Sequence, residues 1–449
     1  MASKSSRHNL TTLKLNWLNL ILVVLIFLFP TNLFLSLYKD QAYVTGIFSD
    51  YLIVKIYLSE IILWFYIASI TLFVRPRLLL WLRQILSAGK PKPNTLFLLL
   101  LVGPLIVFGQ FLSTHVIVGL WTVVQWLEVT FLIVCMLFHF SLDQKRFTQT
   151  LMIGLISAIL FQSVIAISQF LLQKSLLGFA LLGEPNLTNA FNINKFTNFA
   201  GQERILPYGT TAHPNVLGGY LAVYGVLVLG LFNTIKKQLL KAFMLVIIFS
   251  GWTLVIITHS LSASLTIFMG SVIVLLIRQI YNWVQPTRNR QLLLVSLMTL
   301  STTLTPLLIY VLHVILPTST SIVRRNWLYQ AAVQVCLHNP IFGTGLSQFV
   351  TQLTIFTNNA DVWRFLQPVH STPWVFLSEV GFLGVILLYI CWRNFSLPTK
   401  INLLFTLLIL LIPICFDHYL ISIQPGRWLW AITFVGVFTI VKNFRTLER

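Results

Sequence analysis

Four short polar stretches interrupt a chain that is otherwise almost continuously apolar, and each holds side chains capable of chemistry. The first is Arg204 followed by Gly209-Thr210-Thr211-Ala212-His213-Pro214-Asn215, directly before an apolar run that begins near Val216. Proline is comfortable at a helix start, and the unpaired N–H groups there attract anions; a well-capped helix is the plainer account. The second opens on Arg324-Arg325, runs through an amphipathic segment from Asn326 to Leu337, and ends on His338-Asn339-Pro340-Ile341-Phe342-Gly343-Thr344-Gly345, with Phe349 just beyond. Two arginines without acidic neighbours suit a phosphate held by forked hydrogen bonds, and lipid headgroups would satisfy them equally well. The third is His370, after Gln367-Pro368-Val369, with Glu379 and Gly381 further along the same expected helix. Histidine is the side chain best suited to move a proton near neutral pH, although a histidine at a membrane surface is often simply wet. Glu379 falls about two and a half turns deeper, and a carboxylate inside a span is a functional hypothesis by default. The fourth is Asp417-His418-Tyr419, with Arg427 opening the last apolar run. There the preferred account is structural, an Asp417–Arg427 pair tying two helix ends. Lys55, Glu60 and Glu128 also lie in or near apolar runs but in no motif, and Glu128 is expected to pack against a polar partner that the sequence does not name.

Whatever positions these residues is built for lipid. A membrane-spanning helix needs about 20 mostly apolar residues. That ruler gives about twelve spans, near 15–37, 53–74, 95–112, 116–138, 149–172, 212–232, 239–258, 260–281, 291–316, 372–392, 401–419 and 425–442. Thr258-His259-Ser260 leaves almost no loop between two of them, as expected of adjacent helices turning back at one membrane face. Leu328, Ala331, Ala332 and Val335 recur at helical spacing, so the segment after Arg325 is expected to be a short helix at the interface. The basic residues alternate with the spans: 21 of the 30 fall in one set of segments, from Lys4, Arg7 and Lys14 to Lys442, Arg445 and Arg449. By the positive-inside rule that set is cytoplasmic, so both termini are inside and the span count is even. The two longest loops, about 173–211 and 317–371, then lie outside, and so do all four polar stretches. The chain is read as a single membrane domain, 1–449, with 317–371 as a large extracytoplasmic loop.

Composition agrees. The 449 residues are 57% hydrophobic and 9% charged, with a mean hydropathy of +0.85, against about 25% charged in an ordinary soluble domain. The net charge of +19 does not signal nucleic acid, because it is dispersed in short clusters between apolar runs rather than gathered on one face. No glycine-rich loop ending in Lys-Ser or Lys-Thr is present, which argues against an ATP-driven pump. Cys135, Cys336, Cys391 and Cys415 have no metal-ligand or redox spacing and read as small hydrophobes. The tryptophans near span ends fit an aromatic belt.

At the four polar stretches the chain resembles the O-antigen ligase and polysaccharide polymerase superfamily of bacterial envelope glycosyltransferases. The likeness rests on Gly209 to Asn215 before a span, and on Arg325 preceding Asn339-Pro340-x-x-Gly343-x-Gly345-x-x-x-Phe349. It is completed by His370, by Glu379-x-Gly381-x-x-Gly384 and by Asp417-His418-Tyr419, so it covers roughly residues 200–430. Two departures stand out. Where many members carry Ser-Arg-x-Ala, this chain has Ser260-Leu261, so one expected phosphate ligand is missing and His259 or Arg204 is the candidate substitute. Where members often have Asn after the loop histidine, it has Ser371.

The resemblance implies an all-α integral-membrane fold of the lipid-sugar-dependent (C-type) glycosyltransferase kind, in a bacterial cytoplasmic membrane. It implies an enzyme that moves a glycan from a polyprenyl pyrophosphate carrier to a hydroxyl of a lipid, sugar or protein acceptor outside that membrane. Such a reaction must stabilise negative charge on the departing pyrophosphate and take a proton from the acceptor. Arg325 is assigned to the pyrophosphate with Arg324 and Arg204, and His370 to the general base, with Glu379 holding its helix or tuning its charge. His213, Asn215, His259, Asn339, Gly343, Gly345, Asp417 and Arg427 are expected to support them. No metal and no cofactor is called for, since no carboxylate cluster with metal spacing falls on the outer side. Two other classes fit the same residues: a transporter or flippase of lipid-linked saccharide, and a non-catalytic member of the fold.

Overall fold

The computed structural model describes residues 2–88, 104–111, 113–188, 193–198, 200–285, 287–356 and 365–446. Its helices are α1 (Ala2–Leu28), α2 (Leu58–Ala88), α3 (Val116–Leu142), α4 (Gln144–Leu172), α5 (Pro214–Leu231), α6 (Gln238–Ile257), α7 (Leu261–Leu275), α8 (Ile277–Val284), α9 (Arg288–Ile315), α10 (Thr320–His338), α11 (Phe349–Phe356), α12 (Thr372–Asn394), α13 (Leu397–Phe416), α14 (Tyr419–Ser422) and α15 (Gln424–Thr446). The chain is thus an all-α membrane protein. Eight of the described helices are long and apolar enough to cross a bilayer, or nine if α7 and α8, bent by 68° at Leu276, make one span. The three remaining spans expected from sequence differ for separate reasons. The first apolar stretch is helical only to Leu28, because Phe34–Leu37 turns into a strand. The 95–112 span lies mostly outside the described residues. In α15 the apolar stretch from Trp428 to Val441 is cut short by Arg427 and Lys442.

α5 is the centre of the bundle. Leu217, Tyr220, Ala222, Val226 and Leu227 are among its fully buried residues, packed against α4, α6, α7 and α15. It carries Gly218, Gly219, Gly225 and Gly230, and a Cβ at Gly219 would lie 2.1 Å from the Tyr419 hydroxyl. Small residues on a membrane helix let neighbouring backbones approach closely. Tyr220 and Tyr224 donate to the carbonyls of Phe29 (2.9 Å) and Ile26 (3.1 Å), tying α5 to the end of α1.

A second, smaller core lies under the segments between spans. Leu328, Tyr329, Ala331, Ala332 and Val335 of α10 pack with Phe349, Val350 and Leu353 of α11, with Val369 and Val375, and with Ala42, Val44, Leu52 and Ile53 from the connection between α1 and α2. These α10 residues include the four whose spacing marks the helix in the sequence. Each of the larger apolar side chains among them contributes about 1.5–3 kcal/mol when fully buried. The α1–α2 connection forms two antiparallel pairs: β1 (Phe34–Leu37) with β4 (Val54–Tyr57), and β2 (Tyr43–Val44) with β3 (Ile47–Phe48). A third pair, β5 (Lys195–Thr197) with β6 (Glu203–Ile205), precedes α5.

Candidate functional site

The residues after β6 are held by two glutamines of α4. Gln169 accepts from the N–H groups of Tyr208 (2.9 Å) and Gly209 (2.8 Å), and Gln162 accepts from Thr210 N–H (2.9 Å) while donating to its hydroxyl (2.7 Å). Gly209 takes φ +58°, and a Cβ there would strike Gln162 Oε1 at 2.2 Å, so only glycine fits. This bracing sets His213 as the N-cap of α5, its Nδ1 accepting from Asn215 N–H at 3.0 Å. Its Nε2 meets the Asn194 amide at 2.6 Å.

Three chain segments are then sewn to one another beside His213. Tyr329 of α10 donates to the carbonyls of His370 (3.1 Å) and Cys415 (3.2 Å), and the Thr372 hydroxyl donates to the Asp417 carbonyl (3.1 Å). His370 and His418 consequently stand edge to face with ring centroids 5.0 Å apart, and Tyr51 packs on the other side of His418 at 5.6 Å. Arg324 and Arg325, in the first turns of α10, project their charge onto His370, His213 and His418. The Asp417 carboxylate accepts from Ser262 Oγ at 2.5 Å and lies near Asn215 and Arg325. Residues far apart in sequence, His213, Asn215, Arg324, Arg325, His370, Asp417 and His418, thus form one cluster.

The cluster is built to accept charge from outside itself. Among the described residues neither arginine closes an ion pair with a carboxylate. The Nε atoms of both arginines and both ring nitrogens of His370 are buried with no hydrogen-bond partner. His370 is only 8% exposed. Burial, followed by the charges of Arg325, His418, Arg324 and His213, holds its pKa well below the usual imidazole range. His418 is pushed down to about 3 by burial and by His213 and the arginines, so at neutral pH both rings are uncharged. Burial raises Asp417 to about 6, against the opposing pull of Arg325, Ser262 and Asn215. Burial and then Arg325 lower the pKa of Arg324, but a guanidinium stays charged at neutral pH.

Several expected members sit elsewhere. Arg204, on β6, donates to the Phe170 carbonyl (3.3 Å) and lies over the Phe170 ring at 5.4 Å. His259, at φ +54° in the tight α6–α7 turn, packs its ring on Phe196 at 4.6 Å. Both serve the loop before α5, and neither contacts the arginine–histidine cluster. The expected Asp417–Arg427 pair does not form. Asp417 turns toward Ser262, whereas Arg427 points into the bundle, donating to the Ile421 carbonyl (2.8 Å) and to the side chains of Gln125 and Gln424. Those two amides continue to Glu60 (2.8 Å from Gln125) and Glu128 (3.1 Å from Gln424), and Trp64 also donates to Glu128 (2.9 Å). That buried network supplies the partner of Glu128 that the sequence left unnamed.

Glu379 and the two glycine motifs form a brace. α12 breaks at Gly381 (φ 64°, ψ −162°). Across the break Phe382 N–H reaches the Pro340 carbonyl (2.9 Å), while Thr344 and Gly345 N–H groups reach the carbonyls of Ser378 (2.9 Å) and Glu379 (3.0 Å). A Cβ on Gly343 or Gly381 would lie 2.4 Å from backbone of the opposite segment. The Glu379 carboxylate accepts from Phe349 N–H at 3.4 Å, at the start of α11. Glu379, Gly343 and Gly345 therefore lock α12 to the connection after α10, and α10 carries the arginines. Leu261, the residue after Ser260 in the α6–α7 turn, is 73% exposed.

Two participants escaped the sequence. Tyr51 lies in a connection without any motif, and Tyr329 occupies a helical position indistinguishable from core; only the fold brings them to the histidines. Among the described residues no three His, Cys, Asp or Glu side chains group so as to hold a metal ion. No protein-family profile matches the chain, and no curated protein sequence matches it.

Proposed function

We propose that this protein is an O-antigen ligase-like or polysaccharide polymerase-like glycosyltransferase that takes its glycan from a polyprenyl pyrophosphate carrier. The observation that supports this most is the partnerless pair Arg324 and Arg325 beside the buried, partnerless His370. An anion-binding pair and a neutral base are what the transfer needs side by side. The pyrophosphate would be held by Arg325 and Arg324 and stabilised as it leaves. His370, uncharged before binding, would take the acceptor hydroxyl's proton. A bound dianion favours the imidazolium and so raises the basicity of His370 when the donor is in place. Glu379 acts at a distance, by holding α12 to the segment that follows α10.

The same proposal places about twelve spans in a bacterial cytoplasmic membrane, with both termini inside and the cluster outside. Membrane-impermeant maleimide should then label a cysteine placed at Lys195 but not one at Lys237, in a background without the native cysteines. The chemistry is tested with purified protein in nanodiscs and a synthetic polyprenyl pyrophosphate oligosaccharide. Release of polyprenyl pyrophosphate should require an acceptor and His370. Tight donor binding without release would instead favour a transporter of the lipid-linked saccharide or a non-catalytic member of the fold.

A further inference from the structure

The brace between α10 and α12 encloses one wall of a cleft of about 340 Å³, lined by Gly109, Ser113, Thr114, by the segment from His338 to Thr344, and by Gln352. That volume is in the range of small-molecule sites. By contrast, the cavity beside Arg427 and Lys55, at about 30 Å³, has room for little more than a water. Three properties of the larger cleft point to the same ligand class. Among the described residues its lining contains neutral amides, hydroxyls and backbone, the Phe342 ring and His338, and no lysine, arginine or carboxylate, a lining unlike that of a phosphate site. Among the described residues hydrogen-bonding capacity is left over in it: the Asn339 carboxamide makes no bond to them, His338 uses only Nδ1, toward the Gln334 carbonyl (3.0 Å), and the Gln352 amide gives only its nitrogen, to Thr351 (3.2 Å). Its floor is also preorganised, because Pro340, Ile341, Thr344 and Gly345 are pinned to the broken α12 by backbone hydrogen bonds, which lowers the ordering cost of binding.

We infer that this cleft binds an uncharged saccharide unit, at the opposite end of α10 from the arginine pair. Arg325 and His338 are separated by about 20 Å along that helix, a span that a chain of several sugars can bridge. The inference deepens the proposed glycosyl transfer by giving the glycan a second point of attachment, yet it stands on residues that make no contact with the cationic cluster.

The test uses the full-length protein in nanodiscs. Binding is measured to a panel of neutral and acidic oligosaccharides of one to six units, free in solution, and to a neutral glycolipid incorporated in the disc. Neutral members should bind, and Gln352→Trp, which fills the cleft, or Asn339→Ala, which removes its free amide, should weaken them at least about tenfold, the loss of one or two neutral hydrogen bonds. Arg325→Ala should leave this binding unchanged while reducing affinity for polyprenyl pyrophosphate, so failure of the cleft and failure of the phosphate site are separable. Cleft-dependent binding of free oligosaccharide identifies a glycan chain as the source, and binding of the glycolipid alone identifies a membrane acceptor. No saccharide binding, preference for acidic members, or equal binding by the two cleft variants with unchanged melting would overturn the inference.

Discussion

Replacing Arg325 by glutamine separates a charge kept for a ligand from one kept for the fold. In the free protein the Arg325 Nε is buried without a partner, and its charge lies next to Arg324, whose pKa it lowers. Part of the cost of desolvating this half-buried guanidinium is therefore already met on folding, so an arriving phosphate oxygen collects more of the interaction than it would at a fully exposed arginine. A hydrogen bond to a charged group is worth about 1.5–3 kcal/mol. Removing it should weaken polyprenyl pyrophosphate binding by roughly 10- to 150-fold, with 30-fold, about 2 kcal/mol, as the central value. Stability should move little or rise, because the substitution relieves repulsion within the arginine pair. Isothermal titration in nanodiscs measures the affinity, with the matching polyprenol as control for the lipid tail, and thermal unfolding measures the fold. Arg204→Ala serves as a counterpart: since Arg204 is engaged with Phe170, its loss should leave donor affinity within about twofold. The reasoning is refuted if Arg325→Gln binds as wild type, if it loses polyprenol equally, or if it melts several degrees lower while retaining the donor.

Three further outcomes follow from the same geometry. His370→Ala should reduce turnover by about 10²–10⁴-fold, the usual contribution of a positioned base, while donor affinity stays within a few-fold; a parallel loss of affinity in titration would make His370 a binding group instead. Asp417, at about 6, is ionised at pH 7.5 and repels an incoming anion. A bound anion raises its pKa further, so donor binding takes up a proton and strengthens as pH falls toward about 6, levelling off below it. Asp417→Asn should bind the donor up to about tenfold more tightly at pH 7.5 and lose that part of the pH dependence, as read by titrating both proteins from pH 5 to 8; weaker binding at every pH would show Asp417 to be a ligand-positioning group. Gly381→Ala must place a Cβ 2.4 Å from the Ile341 carbonyl at φ +64°, which should cost about 3 kcal/mol or more; an unchanged melting curve in detergent would show that the break in α12 is dispensable.

The sequence made the site's members legible more readily than their partners. His213, Arg325, His370 and Asp417 stand out because polar residues flanking apolar runs are few, and lipid leaves them little else to be. Helix α10 was readable from Leu328, Ala331, Ala332 and Val335 because burial on one side imposes a helical period. Partner choice is a property of the three-dimensional packing. Asp417 and Arg427 are near neighbours in sequence, but α14 turns the chain between them, and Asp417 finds Ser262 instead. Arg204 precedes the α5 motif and has the right charge, yet the β5–β6 pair holds it against Phe170. Hydropathy alone was a poor guide to local geometry: the first apolar run continues past Leu28 as β1, and the expected span after Ser260 bends at Leu276.

The glycine motifs acquire a physical meaning that their spacing alone does not carry. Gly343 and Gly381 lie where two backbones run too close for any side chain, and the Glu379 carboxylate accepts from the start of α11. None of the three touches the cationic cluster, but together they fix the far end of α10 against α12. Tyr329, midway along α10, fixes the near side by binding the His370 and Cys415 carbonyls. The separation between the arginines and His370 is thereby set by a rigid helix held at two points, rather than by the loops on which His370 and His418 lie. A loop histidine can hold a productive distance from a guanidinium pair only if such a frame exists. Loosening the brace at Gly381 should therefore disturb the cluster without changing any residue in it.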